Sequence, residues 1–240
     1  QDKRIFELML ILSRLQKETK DIELFAPYLP YARQDRESKE GEAVSADVLC
    51  ELLKNYGVKK LITYDCHFLP KPGDFKRAGL DIENRSAGPE LFAYAKKYFD
   101  EENEKNNTQE EFVVVSPDEG SSYFIENAKG QKAHSLMKTR EEVKPNGEEN
   151  GIHADIHTME GEIDVAGKNV CILDDIISTG GTIVRAIEHL KARGAQKIIV
   201  GATHGVFAGH RIAEKILNNS CSDLFITNAI AVKNATFDPL

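Results

Sequence analysis

The stretch Val170–Thr182, VCILDDIISTGGT, constrains the chain more than any other. A short apolar run passes into Asp174-Asp175, then Ile176-Ile177, then Ser178-Thr179-Gly180-Gly181-Thr182, and then into a segment of helical periodicity. That order predicts strand, loop and helix start. Glycines let the backbone approach an anion closely, successive N–H groups and the helix's positive end face it, and three hydroxyls add donors. Residues Ser178, Thr179, Gly180, Gly181 and Thr182 are therefore expected to cradle a monophosphate. Two adjacent carboxylates cannot favour that anion, so Asp174 and Asp175 need another partner, the cis-diol of a sugar or a cation. Ribose 5-phosphate meets both requirements. The competing reading is a glycine-rich turn capped by hydroxyls, with its acids left in solvent.

The rest of the chain fits such a unit. Apolar runs rich in β-branched residues alternate with longer segments of helical periodicity, the pattern of an α/β fold with mainly parallel sheets flanked by helices. Strands are predicted at Ile22–Ala26, Val58–Tyr64, Phe112–Ser116, His134–Met137, Asn169–Leu173, Lys197–Ala202 and Leu224–Thr227. Helices are predicted at Asp2–Lys17, Ser45–Tyr56, Pro89–Tyr98, Gly120–Lys129, Gly181–Arg193 and Ala208–Leu217. Ser45 is a candidate cap, Pro89 suits a first turn, and Gly57 and Gly194 suit C-terminal caps. Asp100–Glu111 and Glu141–Gly151 read as solvated loops. A boundary near Ser86–Pro89 divides the chain into domains 1–88 and 89–240.

Composition narrows the functions open to it. With a formal net charge of -8 and no long basic run, nucleic acid is not the expected partner. Cys50, Cys66, Cys171 and Cys221 form no CxxC pair, which suits a reducing cytoplasm. No apolar run approaches the roughly 18 residues of a membrane span.

Four further elements carry chemistry. Pro27-Tyr28-Leu29-Pro30-Tyr31-Ala32-Arg33-Gln34-Asp35-Arg36 follows a predicted strand. Arg33 offers a planar fork of donors for phosphate or an adenine edge, and Gln34 both donates and accepts. Asp65-Cys66-His67 and Ser116-Pro117-Asp118 end two other strands, where α/β folds place ligands. In Lys138-Thr139-Arg140, an extended backbone projects the two cations toward one anion. Taken singly, each has a plainer reading: an ion-paired surface turn, a structural histidine, a solvated strand end.

Together with Val170–Thr182, these elements resemble, in order, the motifs of ribose-phosphate diphosphokinases, the PRPP synthases. The phosphate loop alone is shared with phosphoribosyltransferases; the PYxxYARQDR stretch separates the two. The resemblance implies two phosphoribosyltransferase-like domains and transfer of the diphosphoryl group of Mg-ATP to the 1-hydroxyl of ribose 5-phosphate, giving PRPP and AMP for nucleotide biosynthesis. It assigns ATP to Arg33, Gln34, Asp35 and His67, Mg2+ to His67 and Asp118, and catalysis to Lys138 and Arg140 at the start of a closing loop. It assigns ribose 5-phosphate to Asp174, Asp175 and Ser178–Thr182, and it implies a homo-oligomer, a hexamer built from dimers. A phosphoribosyltransferase using PRPP, or a non-catalytic regulatory subunit associated with PRPP synthases, would share part of this pattern.

Departures accompany the resemblance. The sequence opens at the helix before the PYxxYARQDR stretch, without the family's earlier strands or its F-x-D-G-E adenine loop, so the first domain is expected to be partial, with a sheet edge needing cover. It also stops early at Asn234–Leu240. The family's bacterial D-L-H-A is here Asp65-Cys66-His67-Phe68. Between Arg140 and Asp174 the chain is longer than usual by about ten residues, where loops tolerate insertion. Within that segment His153-Ala154-Asp155-Ile156-His157 reads as an ordinary polar strand face rather than a metal site.

Overall fold

A computed structural model describes residues 2–117, 121, 123, 133–135, 137–141, 156–160, 164–209 and 211–230. The chain divides into two compact units, one of residues up to Ala87 and the other running from Gly88 to Asn228.

In the first unit, helices α1 (Asp2–Leu15) and α2 (Ser45–Asn55) pack on a sheet of β1 (Ile22–Phe25), β2 (Val58–Tyr64), β3 (Gly73–Arg77) and β4 (Leu80–Arg85), in the order β1-β2-β4-β3. Apolar residues of α2 recur at Ala46, Leu49, Cys50 and Leu53, one face of a 3.6-residue helix, and all are buried. Central β2 runs parallel to both neighbours, with Leu61 opposite Leu24 and Ile82. Gly57 ends α2 with φ +91° and its N–H on Lys54, as expected of a cap glycine. Ser45 does not cap α2: its hydroxyl donates to Gln34 Oε1 at 2.5 Å, and the N-cap position is Val44.

The hairpin of β3 and β4 was not expected. Its strands are polar, so only Leu80, Ile82 and Asn84 of β4 show the alternation that marks a strand. Ala78 and Gly79 turn it with φ of +47° and +76°, the left-handed pair that a tight hairpin requires.

The second unit holds a fully parallel sheet of β5 (Phe112–Ser116), β6 (Ala133–Ser135), β9 (Asn169–Ile177), β10 (Ile198–Gly205) and β11 (Asp223–Ile226), in the order β11-β10-β9-β5-β6. Helices α3 (Gly88–Asn106), α4 (Gly181–Ala192) and α5 (Ile212–Asn218) pack with it. Alternate residues of β9 feed two cores: Val170 and Ile172 join Ile183, Ala186, Ile187 and Leu190 of α4, while Cys171 and Leu173 join Leu91, Ala95 and Phe99 of α3. A strand covered on both faces must be apolar at every position. A separate antiparallel ribbon pairs β7 (Met137–Glu141) with β8 (Ile156–Glu160).

Several predicted bounds change. Asp100–Asn106 is the last part of α3 rather than a loop; ion pairs Lys96–Asp100, Lys97–Glu101 and Lys105–Glu102 support a helix that composition alone reads as too polar. The predicted strand at His134–Met137 is two strands in different sheets. The helix expected from Ala208 starts at Ile212. Nearly all of the helix expected at Gly120–Lys129, and most of the loop at Glu141–Gly151, lie outside the described residues.

Candidate active site

The candidate phosphate loop grows out of β9, a strand buried at every position. β9 runs through Ile177, four residues beyond its predicted end, so Asp174 and Asp175 lie within the strand and not after it. Both are 6% exposed, which removes the reading that leaves these acids in solvent. Adjacent strand positions face opposite sides, so Asp174 takes the side of Ile172 and Asp175 that of Leu173. Asp174 Oδ1 also accepts the Asp175 N–H at 3.0 Å.

Ser178–Gly180 link β9 to α4. Gly180 holds the N-cap position at φ +72°, and its carbonyl accepts the Val184 N–H at 2.9 Å. A Cβ there would lie 2.9 Å from Ile212 Cγ2 and 3.4 Å from Ile216 Cδ1, so α5 closes the space behind the loop. An L side chain at such φ costs about 1–2 kcal/mol before that clash. With no side-chain cap, the first N–H groups of α4 remain for an anion.

The segment after β10 fixes the loop from behind. Val206 and Phe207 both donate N–H groups to the Ile177 carbonyl, at 3.0 and 3.1 Å, and Ala208 donates to Ser178 O at 3.0 Å. Phe207 adopts φ +44° to do so, and a Cβ on Gly205 would stand 2.7 Å from its ring. These supports escaped the sequence reading, whose only trace of them is the glycine at 205.

Lys138 and Arg140 lie on β7, two positions apart, opposite Met159 and His157 of β8. The pair therefore sits on a strand of the ribbon rather than after one. Asp118, given to Mg2+ above, and His153–Asp155 lie outside the described residues. Ser116, at the end of β5, is buried with its hydroxyl 3.0 Å from that of Ser121.

In the first unit, the segment from Ala26 to Val44 has no regular helix or strand and is held by specific ties. Tyr31 donates its hydroxyl to Asp2 at 2.7 Å. The Gln34 amide donates to Glu42 at 3.0 Å and accepts from Ser45, while its carbonyl takes the Ala46 N–H. The Gln34 side chain thus organises the loop, a role the sequence reading did not include. Arg33 is exposed; Asp35 is half-buried, its carbonyl accepting from Arg77 Nη2 at 2.7 Å.

His67 is exposed on the turn after β2. The turn is built by Asp65, which is fully buried at φ +39°. Asp65 donates its N–H to Arg85 O at 2.8 Å and accepts the Ala87 N–H at 2.9 Å. Asn84 supports it, taking the Cys66 N–H and donating to Lys71 O. Asp65 is the structural member of the Asp-Cys-His element, and its buried carboxylate leaves His67 presented to solvent.

Among the described residues no group of three or more His, Cys, Asp or Glu side chains is arranged to hold a metal ion. Magnesium is usually held by one or two carboxylates with waters and substrate phosphates, so it does not need such a group. The oxygen donors of Asp174 and Asp175 suit it better than the imidazole of His67.

A wholly parallel sheet with a glycine-containing strand-to-helix loop at the carboxyl end of its central strand fits a phosphoribosyltransferase-type domain, here following a smaller α/β unit. Comparison with known proteins agrees: the phosphoribosyl transferase domain family matches residues 82–232, and the N-terminal domain of ribose phosphate pyrophosphokinase matches residues 1–57. Ribose-phosphate pyrophosphokinase of Aquifex aeolicus is 31% identical over 98% of this chain and 70% of its own length. That of Thermococcus kodakarensis is 33% identical over 96% of this chain and 74% of its own length. Phosphoribosylpyrophosphate synthetase from Mycobacterium smegmatis superposes with a TM-score of 0.73 at 26% identity, covering 96% of this chain and 69% of that one. The chain belongs to the ribose-phosphate pyrophosphokinase family.

No helix among the described residues is long and apolar enough to cross a membrane.

Proposed function

We propose that this chain makes PRPP and AMP from Mg-ATP and ribose 5-phosphate, with the acceptor sugar bound where β9 meets α4. The observation that carries the reading is the buried Asp174-Asp175 pair followed, after Ile176-Ile177, by a loop whose Gly180 combines φ +72° with a space too close for a Cβ. In this reading Ser178, Thr179, Gly180, Gly181 and Thr182 hold the 5-phosphate through hydroxyls and backbone N–H groups. Asp174 and Asp175 orient the ribose hydroxyls, leaving the 1-hydroxyl to attack. Arg33, Gln34, Asp35 and His67 bind ATP; the Gln34 amide, spent on Glu42 and Ser45, acts by shaping the loop that carries Arg33.

Lys138 and Arg140 neutralise charge on the moving diphosphoryl group. Phosphoryl transfers are accelerated mainly by positioning and by such charge stabilisation. Asp118 and His67, the residues the resemblance names, would hold magnesium, which when bound would supply positive charge against the phosphates. A homo-oligomer is part of the same proposal, checked by light scattering.

The experiment is to incubate the chain with Mg-ATP and ribose 5-phosphate and measure AMP and PRPP together. Equal yields are expected. Release of pyrophosphate from PRPP on addition of a nucleobase, without ATP, would instead identify a phosphoribosyltransferase, and no turnover without an added partner subunit would identify a regulatory one. Lys138→Ala is expected to lower turnover by orders of magnitude with little change in ribose 5-phosphate affinity.

A further inference from the structure

Arg77 ends β3, anchored by the hairpin pairing that sets it opposite Leu80. Its side chain is 19% exposed, so its donors and its flat faces need partners within the protein. It finds them on three separate segments. Nε donates to Asp47 Oδ1 of α2 at 2.5 Å, Nη2 donates to the Asp35 carbonyl at 2.7 Å, and the guanidinium lies 4.2 Å from the centroid of the Phe68 ring. Asp35 follows Arg33-Gln34, and Phe68 follows His67. A single planar group thus sits between the two candidate nucleotide-binding segments of this unit and touches a neighbour of each.

We infer that Arg77 is a positioning residue for nucleotide binding: it sets the spacing between the Arg33–Asp35 segment and the His67 turn. The inference rests on the proposed assignment of ATP to those segments. Neither segment belongs to a helix or strand, and Arg77 ties the two together through Asp35 and Phe68. Only a guanidinium can do this. Its rigid fork reaches a carbonyl and a carboxylate while its face stays on an aromatic ring, whereas an ammonium supplies one compact charge with no face.

The test compares Arg77→Gln, Arg77→Lys and Phe68→Leu with wild type and with Lys76→Ala, an exposed neighbour on the same strand. Mg-ATP affinity is measured by calorimetry without ribose 5-phosphate, alongside both KM values and the melting temperature. Arg77→Gln is expected to weaken Mg-ATP binding about tenfold or more and to raise the KM for ATP, with the KM for ribose 5-phosphate moving less than about twofold. Arg77→Lys and Phe68→Leu should fall between it and wild type, and Lys76→Ala should bind as wild type does. A lower melting temperature with Mg-ATP affinity unchanged would overturn the inference and leave Arg77 a scaffold residue. If Arg77→Gln does not fold, Phe68→Leu decides by the same ratio. Wild type that binds Mg-ATP but forms no PRPP would refute the proposed activity while the affinity ratios still judge Arg77; folded wild type that does not bind Mg-ATP would overturn the inference.

Discussion

The phosphate loop and the Ala26–Val44 segment are the two candidate binding regions, and they are held in opposite ways. Around Gly180 the backbone is the device: a buried strand, a left-handed glycine, a helix start, and three N–H groups arriving from the segment after β10. Around Gln34 the side chains are the device: Tyr31 on Asp2, Gln34 between Glu42 and Ser45, Arg77 on Asp35. The first region is fixed before any ligand arrives. The second leans in addition on a few polar side chains keeping their partners, each such bond contributing about 1 kcal/mol.

The strongest way to break that comparison is Gly180→Val. It combines φ +72° with a Cβ 2.9 Å from a branched side chain, so the loop must move. We expect kcat/KM for ribose 5-phosphate to fall on the order of a hundredfold or more, with Mg-ATP affinity unchanged. Steady-state kinetics on folded protein would check this, and an unaltered KM for ribose 5-phosphate would show that the loop does not bind the sugar phosphate.

Gln34→Ala probes the other region. Two half-buried side-chain bonds are lost and Ser45 and Glu42 lose a partner, so the stability of the protein should drop by about 1–2 kcal/mol in urea denaturation. Mg-ATP affinity should fall with it and ribose 5-phosphate affinity should not. Equal loss of both would erase the distinction between the regions.

The contrast also decides what could be read from the sequence. Ser178–Thr182 was legible because its geometry needs particular residues at particular positions, and glycines and adjacent acids announce it. The loop's own supports were not: Val206, Phe207 and Ala208 act through backbone N–H groups, which every residue but proline has. Ser45 looked like a helix cap because nothing local reveals Gln34 eleven positions away in the chain. Nothing in the sequence points to Arg77 or Asp47, because a tertiary ion pair leaves no spacing pattern. β3 escaped for want of apolar alternation, and the last turns of α3 because their i,i+4 ion pairs were outweighed by polarity.

Cysteines report on the two regions separately. Cys50 and Cys66 lie in the first unit and Cys171 and Cys221 in the second, all buried. Burial pushes the thiols of Cys50 and Cys221 up to about 11 and about 12 and raises that of Cys171 well above its ordinary value, so these three are not thiolates at neutral pH. A disulfide reagent should therefore react slowly with the native protein and fully after unfolding. In Gln34→Ala the reaction at Cys50 and Cys66 should quicken by a few-fold while Cys171 and Cys221 keep their wild-type rates. Mass-spectrometric mapping of the labelled sites reads this directly, and acceleration at Cys171 would mean that the loosening is not local.

The smallest effect expected concerns a side-chain tie inside the backbone-built unit. Tyr94 of α3 stacks on Phe225, ring centroids 4.4 Å apart, and donates its hydroxyl to Asp223 at 3.0 Å. Burial, followed by the Asp223 charge and that hydrogen bond, pushes the phenol up to about 12 from its ordinary 10.0. The folded state thus favours the protonated form, and that preference is fully present below pH 10. As pH rises beyond 10 the unfolded chain sheds this proton first, so stability falls until the folded phenol also ionises near 12. Tyr94→Phe keeps the ring stacking, should cost no more than about 1 kcal/mol at neutral pH, and should flatten the part of the alkaline stability curve that Tyr94 contributes. Urea midpoints collected from pH 9 to 12 on both proteins measure it, and parallel curves would show that folding does not raise the Tyr94 phenol.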